Sequence, residues 1–490
     1  MTESYDVTAA QLHRAVSARL DDGYRMAMVA GHEDQDRLRV VYVLVRAADD
    51  QRVELVLGVP KDDPVVPSLA GLDYATGRFE RELHDLYGVV PDGHPLPARL
   101  VLHGHWPSGW YPMRGGARSE PAFEPDVGSF PFLEVEGDGV YEIPVGPVHA
   151  GLIEPGHFRF SVVGETVLRM KARLWFVHRG VEKLFEGRDA HAGVALAERI
   201  SGDTAVGHAT AYATAVEAAL GIEVSTTDRL LRALLLELER MHNHVADLGA
   251  LANDVGFGIA NVHAQRLRET LLRLNRRTTG HRLLRDAITI GGARVAELPD
   301  AALVASVARE AAEVVAVTLS NSTVLDRFTG TAVLSTGAAR ELGTLGFVAR
   351  ASGIDVDARR DHPIANLGPF EVVVETGCDV LARYRVRARE LQISARIVVA
   401  LLDDLAGHQG SDTRAPAAGP GAGLGLVEGW RGTIAHRVEI AADGRLLRVK
   451  VVDPSYFNWP ALPTALAGTI VPDFPLANKS FNQSYAGNDL

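Results

Sequence analysis

The stretch "DRLLRALLLELERMHNHVADLGALAND", residues 228–254, sets the first limit on any fold for this chain. Its apolar residues recur every three or four positions, but on a stripe too wide for a helix with one solvated face. Such a helix has to be wrapped by others, so a helical bundle is expected around it. Long helical windows at about 190–219, 225–249, 259–285, 299–321 and 380–406 supply the helices.

The first ~115 residues read differently. A helix is expected around 8–21, strands in "RLRVVYVLVRAA" and "RVELVLGVP", and a second helix around 75–87 that stops at Gly88. "PMRGGARSEPAFEPDVGSFPF" is rich in Gly, Pro and Ser and reads as a linker. From about 138 short alternating runs suggest strands, and "GHQGSDTRAPAAGPGAGLGL" is a second loose segment before a terminal region of strands and turns. The expected class is α+β: a small α/β unit at 1–115, a linker at 116–137, and a mostly helical unit with β elements at 138–490.

Lys and Arg total 50 against 62 Asp and Glu, a formal charge of -12, which argues against nucleic-acid binding. The one cysteine, Cys378, excludes an intramolecular disulfide and a cluster held by four thiolates of this chain. It reads as a small core or loop residue. No run reaches the ~18 apolar residues of a membrane span, and the N-terminus reads as unprocessed and cytoplasmic. "GPGAGLGL" lacks the context of a phosphate-binding loop, which disfavours nucleotide hydrolysis.

Three short segments carry side chains suited to chemistry. "GPVHAGLIEPGHFRF" holds His149, Glu154 and His157, either exposed loop groups or ligands and proton carriers. "ERISGDTAVGHATAYA" places Ser201, Asp203, Thr204 and His208 at the start of a helix, where Ser201 or Asp203 could equally act as the N-terminal cap. "VVDPSYFNWP" is a Pro turn in which Asn458 could bond local backbone, or a frame for two ligands at Ser455 and Asn458.

In combination these segments resemble a known family. "GRFERELHDLYGVVPDGHPLPARLVLHGHWPSGWYPMR" resembles the 30 kDa subunit of respiratory complex I. "VGPVHAGLIEPGHFRFSVVGETV", "LWFVHRGVEKLFEGR", "ERISGDTAVGHATAY", "LELERMHNHVADLGALANDVGF", "DVLARYRVRARELQ" and "EGWRGTIAHRVEI", in that order, resemble the large subunits shared by nickel-iron hydrogenases and the 49 kDa subunit of complex I. With both parts fused, the chain is most similar to group 4 membrane-bound hydrogenase large subunits of the formate hydrogenlyase type.

That resemblance implies a metal site of two Cys-x-x-Cys pairs. Laid on this sequence, the pairs fall on Ser201 and Thr204 and on Ser455 and Asn458, so all four thiolates are missing and no nickel-iron centre is expected. It implies instead a cavity bounded by His149, Ser201, Thr204, Ser455 and Asn458, in which a quinone could bind with His149 donating to a carbonyl. Glu154, Asp203 and His208 would carry protons, with Arg383, Arg385, Arg387 and Arg431 as charge partners. No Tyr is matched to the family's second quinone contact. Implied partners are a small iron-sulfur electron-transfer subunit and membrane antiporter-like subunits, with this chain peripheral on the cytoplasmic face. Two other readings stay open: a non-catalytic scaffold, in which Tyr456 and Phe457 fill the cavity, and true formate hydrogenlyase or hydrogenase activity. Nothing resembles an NAD site.

Overall fold

A computed structural model describes residues 2–115, 117, 120–123, 130, 132–151, 153–407 and 419–490. The linker expected at 116–137 and the loose segment expected at 407–426 therefore lie partly outside the described residues.

The chain begins with β1 (Thr2–Asp6), α1 (Ala9–Asp21), β2 (Arg25–Glu33), β3 (Arg37–Arg46) and β4 (Gln51–Pro60), and among the described residues their sheet has the order β1-β4-β3-β2. A short parallel pair, β5 (Val65–Pro67) and β6 (Val90–Asp92), flanks α2 (Tyr74–Tyr87). Gly88 ends α2 in the left-handed region, as expected from the sequence. Two of the buried acids of "FERELHDLYG", Glu80 and Asp85, hold loops. Glu80 accepts from Ser68 Oγ at 2.6 Å and from the Leu69 amide, and Asp85 Oδ2 accepts the amides of Leu100, Val101 and Leu102 at 2.8, 2.7 and 3.1 Å.

An antiparallel sheet follows, β7 (Val140–Val145), β8 (His157–Val163) and β9 (Thr166–Arg173). Then come α3 (Val181–Phe185), α4 (Ala190–Ala197), α5 (Ala205–Leu220), α6 (Thr226–Asp254) and α7 (Gly258–Thr279). The single helix expected over 190–219 is two, broken by a turn at 198–204 that carries the site. The helix expected over 259–285 ends at Thr279, where Gly280 takes a φ of 87°. A small hairpin, β10 (Ile288–Thr289) and β11 (Gly292–Ala293), precedes α8 (Ala301–Ser320) and the short helices α9 (Ser322–Phe328), α10 (Thr336–Glu341), α11 (Gly346–Ala351) and α12 (Ala358–Asp361). Helix α13 (Val380–Gly407) packs along α6 and α8. The wide stripe of α6 is buried as expected, and its polar members Glu237, Glu239, Arg240, His244 and Asp247 are buried too.

The main correction concerns residues 421–426, expected to be loose. They begin β12 (Gly421–Gly429), which pairs with β13 (Gly432–Ile440), itself paired with β14 (Leu446–Val452). The glycines that read as a linker let α5 lie directly on the strand. A Cβ on Gly421, Gly423 or Gly425 would stand 2.0, 2.1 or 2.0 Å from the carbonyl oxygens of Ala219, Ala215 and Ala211. Two strand residues advance about 6.7 Å and four helix residues about 6.0 Å, so the two repeats stay in step over three contacts. The chain finishes with α14 (Pro454–Asn458), α15 (Ala461–Leu466), a short 3-10 turn (Val471–Asp473), α16 (Phe474–Phe481) and α17 (Tyr485–Asp489).

The N-terminal sheet is joined to the terminal one by buried ion pairs. Arg437 binds Glu54 at 2.8 and 2.9 Å, Arg39 binds Glu439 at 2.8 and 2.9 Å, and Lys450 reaches Glu82 on α2 at 2.6 Å. Among the described residues no helix is long and apolar enough to cross a membrane.

Replacing Gly423 with Ala should cost about 3 kcal/mol, the upper end of overpacking, because the obstacle is backbone and cannot swing away. Gly419→Ala, where a Cβ meets nothing within 4 Å, should be near neutral. Denaturant midpoints of the two variants check this; equal midpoints would contradict the close helix-strand contact.

Candidate functional site

The turn between α4 and α5 hangs from a fixed helix end. Glu239, from α6, accepts the amides of Val206 and Gly207 at 2.7 and 3.0 Å and so caps α5. Neither Ser201 nor Asp203 performs that task. Burial pushes the Glu239 carboxyl up to about 8, against the pull of these two amide bonds.

With the cap supplied by Glu239, Asp203 is available to Arg431. The guanidinium binds both carboxylate oxygens at 2.7 Å, and Ser201 Oγ and Thr204 Oγ1 each donate to Oδ1 at 3.0 Å. Burial acts to raise Asp203, but Arg431 outweighs it and holds the carboxyl well below the usual range. Arg431 lies 3.9 Å from the Trp430 ring centroid, and Trp430 Nε1 donates to the Asp203 carbonyl at 3.0 Å, which fixes the pair in place.

Behind this turn lies a buried relay. His208 Nε2 is 3.0 Å from Asp453 Oδ2, and His208 Nδ1 is 3.0 Å from His436 Nε2. Because Asp453 only accepts, the network assigns the proton of a neutral His208 to Nε2, with His436 donating to its Nδ1. His436 is kept well below the ordinary imidazole value, first by burial and then by His208. Asp453 Oδ1 also accepts the Ser455 amide at 2.7 Å, and the Asp453 carboxyl is lowered: burial raises it, and His208 outweighs the burial.

In front of the turn a cleft of about 700 Å³ opens. Its lining includes His149, Glu154, Ser201, Asp203, Arg431 and Tyr485, with Phe158 and Phe474 as apolar walls. Of the residues singled out in the sequence, His149, Glu154, Ser201 and Asp203 are thus brought together. Thr204, His208, Ser455 and Asn458 are not on the lining. Thr204 sits beneath Trp430, whose Nε1 donates to its hydroxyl at 3.2 Å. Asn458 pairs in both directions with the Leu345 backbone, at 2.8 and 3.2 Å.

The side chain that meets Ser201 is Ser484, with the two hydroxyls 2.8 Å apart, while Ser455 Oγ accepts the Ser484 amide at 2.9 Å. Ser484 and Gly487 repeat the three-residue spacing of Ser201 and Thr204, a signal that "NQSYAG" carries and that motif matching passes over. Tyr456 and Phe457 do not fill the cleft: Tyr456 stacks on Phe79 of α2 at 4.5 Å, and Phe457 stands 6.0 Å from the same ring.

Of the expected charge partners, Arg431 serves Asp203, and Arg387 reaches buried Asp247 at 3.2 Å. Arg383 bonds the Cys378 and Ala332 carbonyls at 3.1 and 2.8 Å, and Arg385 is exposed. Cys378 is a buried loop residue at a φ of 63°, away from the site. Among the described residues no group of three or more His, Cys, Asp or Glu side chains is arranged to hold a metal ion.

The site is thus an Arg-Ile-Ser-x-x-Thr turn of the helical unit set against the segments that follow the terminal sheet, in a chain that begins with a small α/β unit. Comparison with known proteins agrees along the chain. Family models for the 30 kDa and 49 kDa subunits of respiratory-chain NADH dehydrogenase match residues 5–120 and 254–418, and a model for nickel-dependent hydrogenase matches 179–252. The chain is 35% identical over 450 residues to formate hydrogenlyase subunit 5 of Escherichia coli (strain K12), covering 89% of this chain and 78% of that protein. It is 28% identical over 482 residues to the NADH-quinone oxidoreductase C/D protein of Phocaeicola vulgatus, covering 92% of each. A chain in the structure of the membrane-bound sulfane sulfur reductase, an archaeal respiratory membrane complex, matches with a TM-score of 0.66 at 26% identity, over 72% of this chain and 99% of that one. The chain belongs to the family of fused 30 kDa and 49 kDa subunit-like proteins that includes formate hydrogenlyase subunit 5 and the NADH-quinone oxidoreductase C/D proteins.

The pH dependence of the site follows from Asp203 and Asp453. Both are depressed in the folded state, so their contribution to stability is present above the ordinary value of 3.8 and is lost as pH falls through the folded values. Wild type should lose stability steeply below about pH 4, and Asp453→Asn should be less stable at neutral pH with a flatter acid limb. Unfolding midpoints from pH 2 to 7 test this; an unchanged acid limb in the variant would contradict it.

Proposed function

We propose that this chain is the peripheral subunit of a membrane-bound oxidoreductase complex, without a nickel-iron centre of its own, and that its cleft receives a quinone-type headgroup or passes protons. The observation that carries the proposal is the cleft itself, where a His, an Arg-held carboxylate and hydroxyl side chains face a volume of about 700 Å³. The donor set does not fit nickel and iron. Ser, Thr and Asn stay neutral where thiolates would ionise, and soft ligation is what such a centre requires. These side chains are, moreover, committed to one another and to the backbone.

Glu154, Asp203 and His208 are the residues proposed to hold or move protons. Electrons would come from a small iron-sulfur partner, since this chain has a single cysteine. Antiporter-like membrane subunits would anchor the complex, with this chain on the cytoplasmic face and its two units, 1–115 and 138–490, joined by 116–137. A second reading, a non-catalytic coupling role, is favoured by the hydrogen bonds that knit Ser201, Ser455 and Ser484 together. Formate hydrogenlyase or hydrogenase activity is disfavoured by the donor set.

Elemental analysis of the complex purified through this chain, with extraction of bound quinone, separates these readings. Nickel far below one atom per chain with copurifying quinone is expected. Nickel at about one atom per chain would overturn the proposal, and the absence of both nickel and quinone would favour the coupling role.

A further inference from the structure

Glu198 closes α4 and stands just before the turn that carries Ser201 and Asp203, and neither the cleft in front of that turn nor the relay behind it uses this side chain. It is 1% exposed. Its Oε1 accepts the Asp286 amide at 2.7 Å, whereas its Oε2 is buried without a hydrogen bond to the described residues. The Arg199 guanidinium, 4.0 Å from Oε2, is too far away to bond it. A carboxylate with one donor and no bonded cation is costly to bury, so this carboxyl keeps its proton. Burial pushes it up to about 7, against the Asp286 amide, Arg199 and Arg285.

The bond to Asp286 holds a segment whose backbone is strained. Between α7 and β10 the chain passes through Leu284 at a φ of 56° and Asp286 at a φ of 63°, left-handed conformations that residues with a Cβ seldom adopt. Such backbone persists only where its surroundings fix it. Leu284 is fully buried, the Leu283 amide donates to His281 Nδ1 at 3.0 Å, and Glu198 holds the Asp286 amide from outside the loop. Glu198 thus fastens residues 281–286 to the start of the turn that bears the site. Beside the fastening lies a second cleft, of about 460 Å³, with His191, Glu198, Asp286 and Arg294 on its lining. Arg285 Nε is buried without a hydrogen bond to the described residues, a donor ready for an ionised carboxylate.

We infer that Glu198 is a proton-operated latch between the 281–286 loop and the Ser201–Thr204 turn. With its proton on, Glu198 holds the Asp286 amide inside the protein. With the proton released to solvent, the carboxylate turns toward the guanidiniums of Arg199 and Arg285 and the second cleft, and the loop comes free. Linkage sets the direction. The closed latch binds its proton more tightly than a solvated carboxyl at its ordinary 4.5, so opening grows as pH rises from about 4.5 to about 7 and levels off above that. The charged and titratable groups around Glu198 are Arg199 beside it, His281, Arg285 and Asp286 on the loop, His191 on α4, and Arg294 after β11. His281 acts in the opposite sense: once protonated, its Nδ1 no longer accepts the Leu283 amide, which loosens the loop as pH falls. The latch works independently of what the cleft in front of the turn binds.

Hydrogen exchange of the full-length chain in its purified complex tests this, read by mass spectrometry on the peptide spanning 281–290 and corrected for the intrinsic pH dependence of exchange. Wild type should lose protection there by roughly fiftyfold between about pH 5 and pH 7.5, while the peptide spanning 264–275 of α7 stays constant. Glu198→Gln keeps an acceptor and cannot ionise, so it should hold the acid-side level throughout. Glu198→Ala should be unprotected at every pH, and His281→Gln should keep the wild-type profile. A wild-type profile that is flat or that falls toward acid overturns the inference, as does a Glu198→Gln profile that follows wild type or a His281→Gln profile that goes flat. The direction of the wild-type profile decides the matter even if a variant fails to fold.

Discussion

The contact between β12 and α5 is the constraint on which the site depends. Helix α5 can rest on bare strand backbone only because glycine occupies every second position from 421 to 425 and alanine every fourth position from 211 to 219. That contact fixes the start of α5, where the Ser201–Thr204 turn is attached. It also fixes the sheet whose last strand runs into Asp453. His208 on α5, His436 on β13 and Asp453 after β14 then meet at 3.0 Å without further adjustment. A larger residue in β12 would move His208 away from His436 and Asp453.

A second organising element is a cluster of buried charges behind the site. Arg350 bonds Glu390 at 2.7 Å and Glu428 at 2.8 Å, Arg359 bonds Asp357 at 2.6 Å, and His244 bonds Glu390 at 2.8 Å. These residues come from α6, α11, α12, α13 and β12 and their neighbouring turns. Desolvation makes such clusters poor sources of net stability, and breaking one partner strands the others. Their effect here is to define which elements meet: the pairing is satisfied only when α6, α13 and β12 are in one register. Burial acts to lower Arg350, but Glu390, Asp357 and Glu428 outweigh it and keep the guanidinium charged.

Much of this was legible in the sequence. The wide stripe of α6, the Gly88 stop and the strands at 37–46 and 51–60 came through because local periodicity and turn chemistry agree with the tertiary result. The short polar segments likewise brought His149, Glu154, Ser201 and Asp203 to notice, and they share one cleft. The errors have a common cause. "GAGLGL" reads as a linker because nothing local says that a helix backbone will cover it. Ser455 and Asn458 read as a facing ligand pair because spacing along the chain is visible and direction in space is not; Asn458 turns to Leu345 and Ser484 takes its place beside Ser201.

The sequence by itself determined the class of the protein, the absence of four thiolates from the chain and the order of the elements, because composition, periodicity and motif order are properties of the chain alone. Only the tertiary structure decided which hydroxyl meets Ser201 and which acid caps α5. Those are outcomes of hydrogen-bond competition among residues far apart in the chain, 283 positions for Ser201 and Ser484, and each group's partner is settled by what its neighbours have already taken.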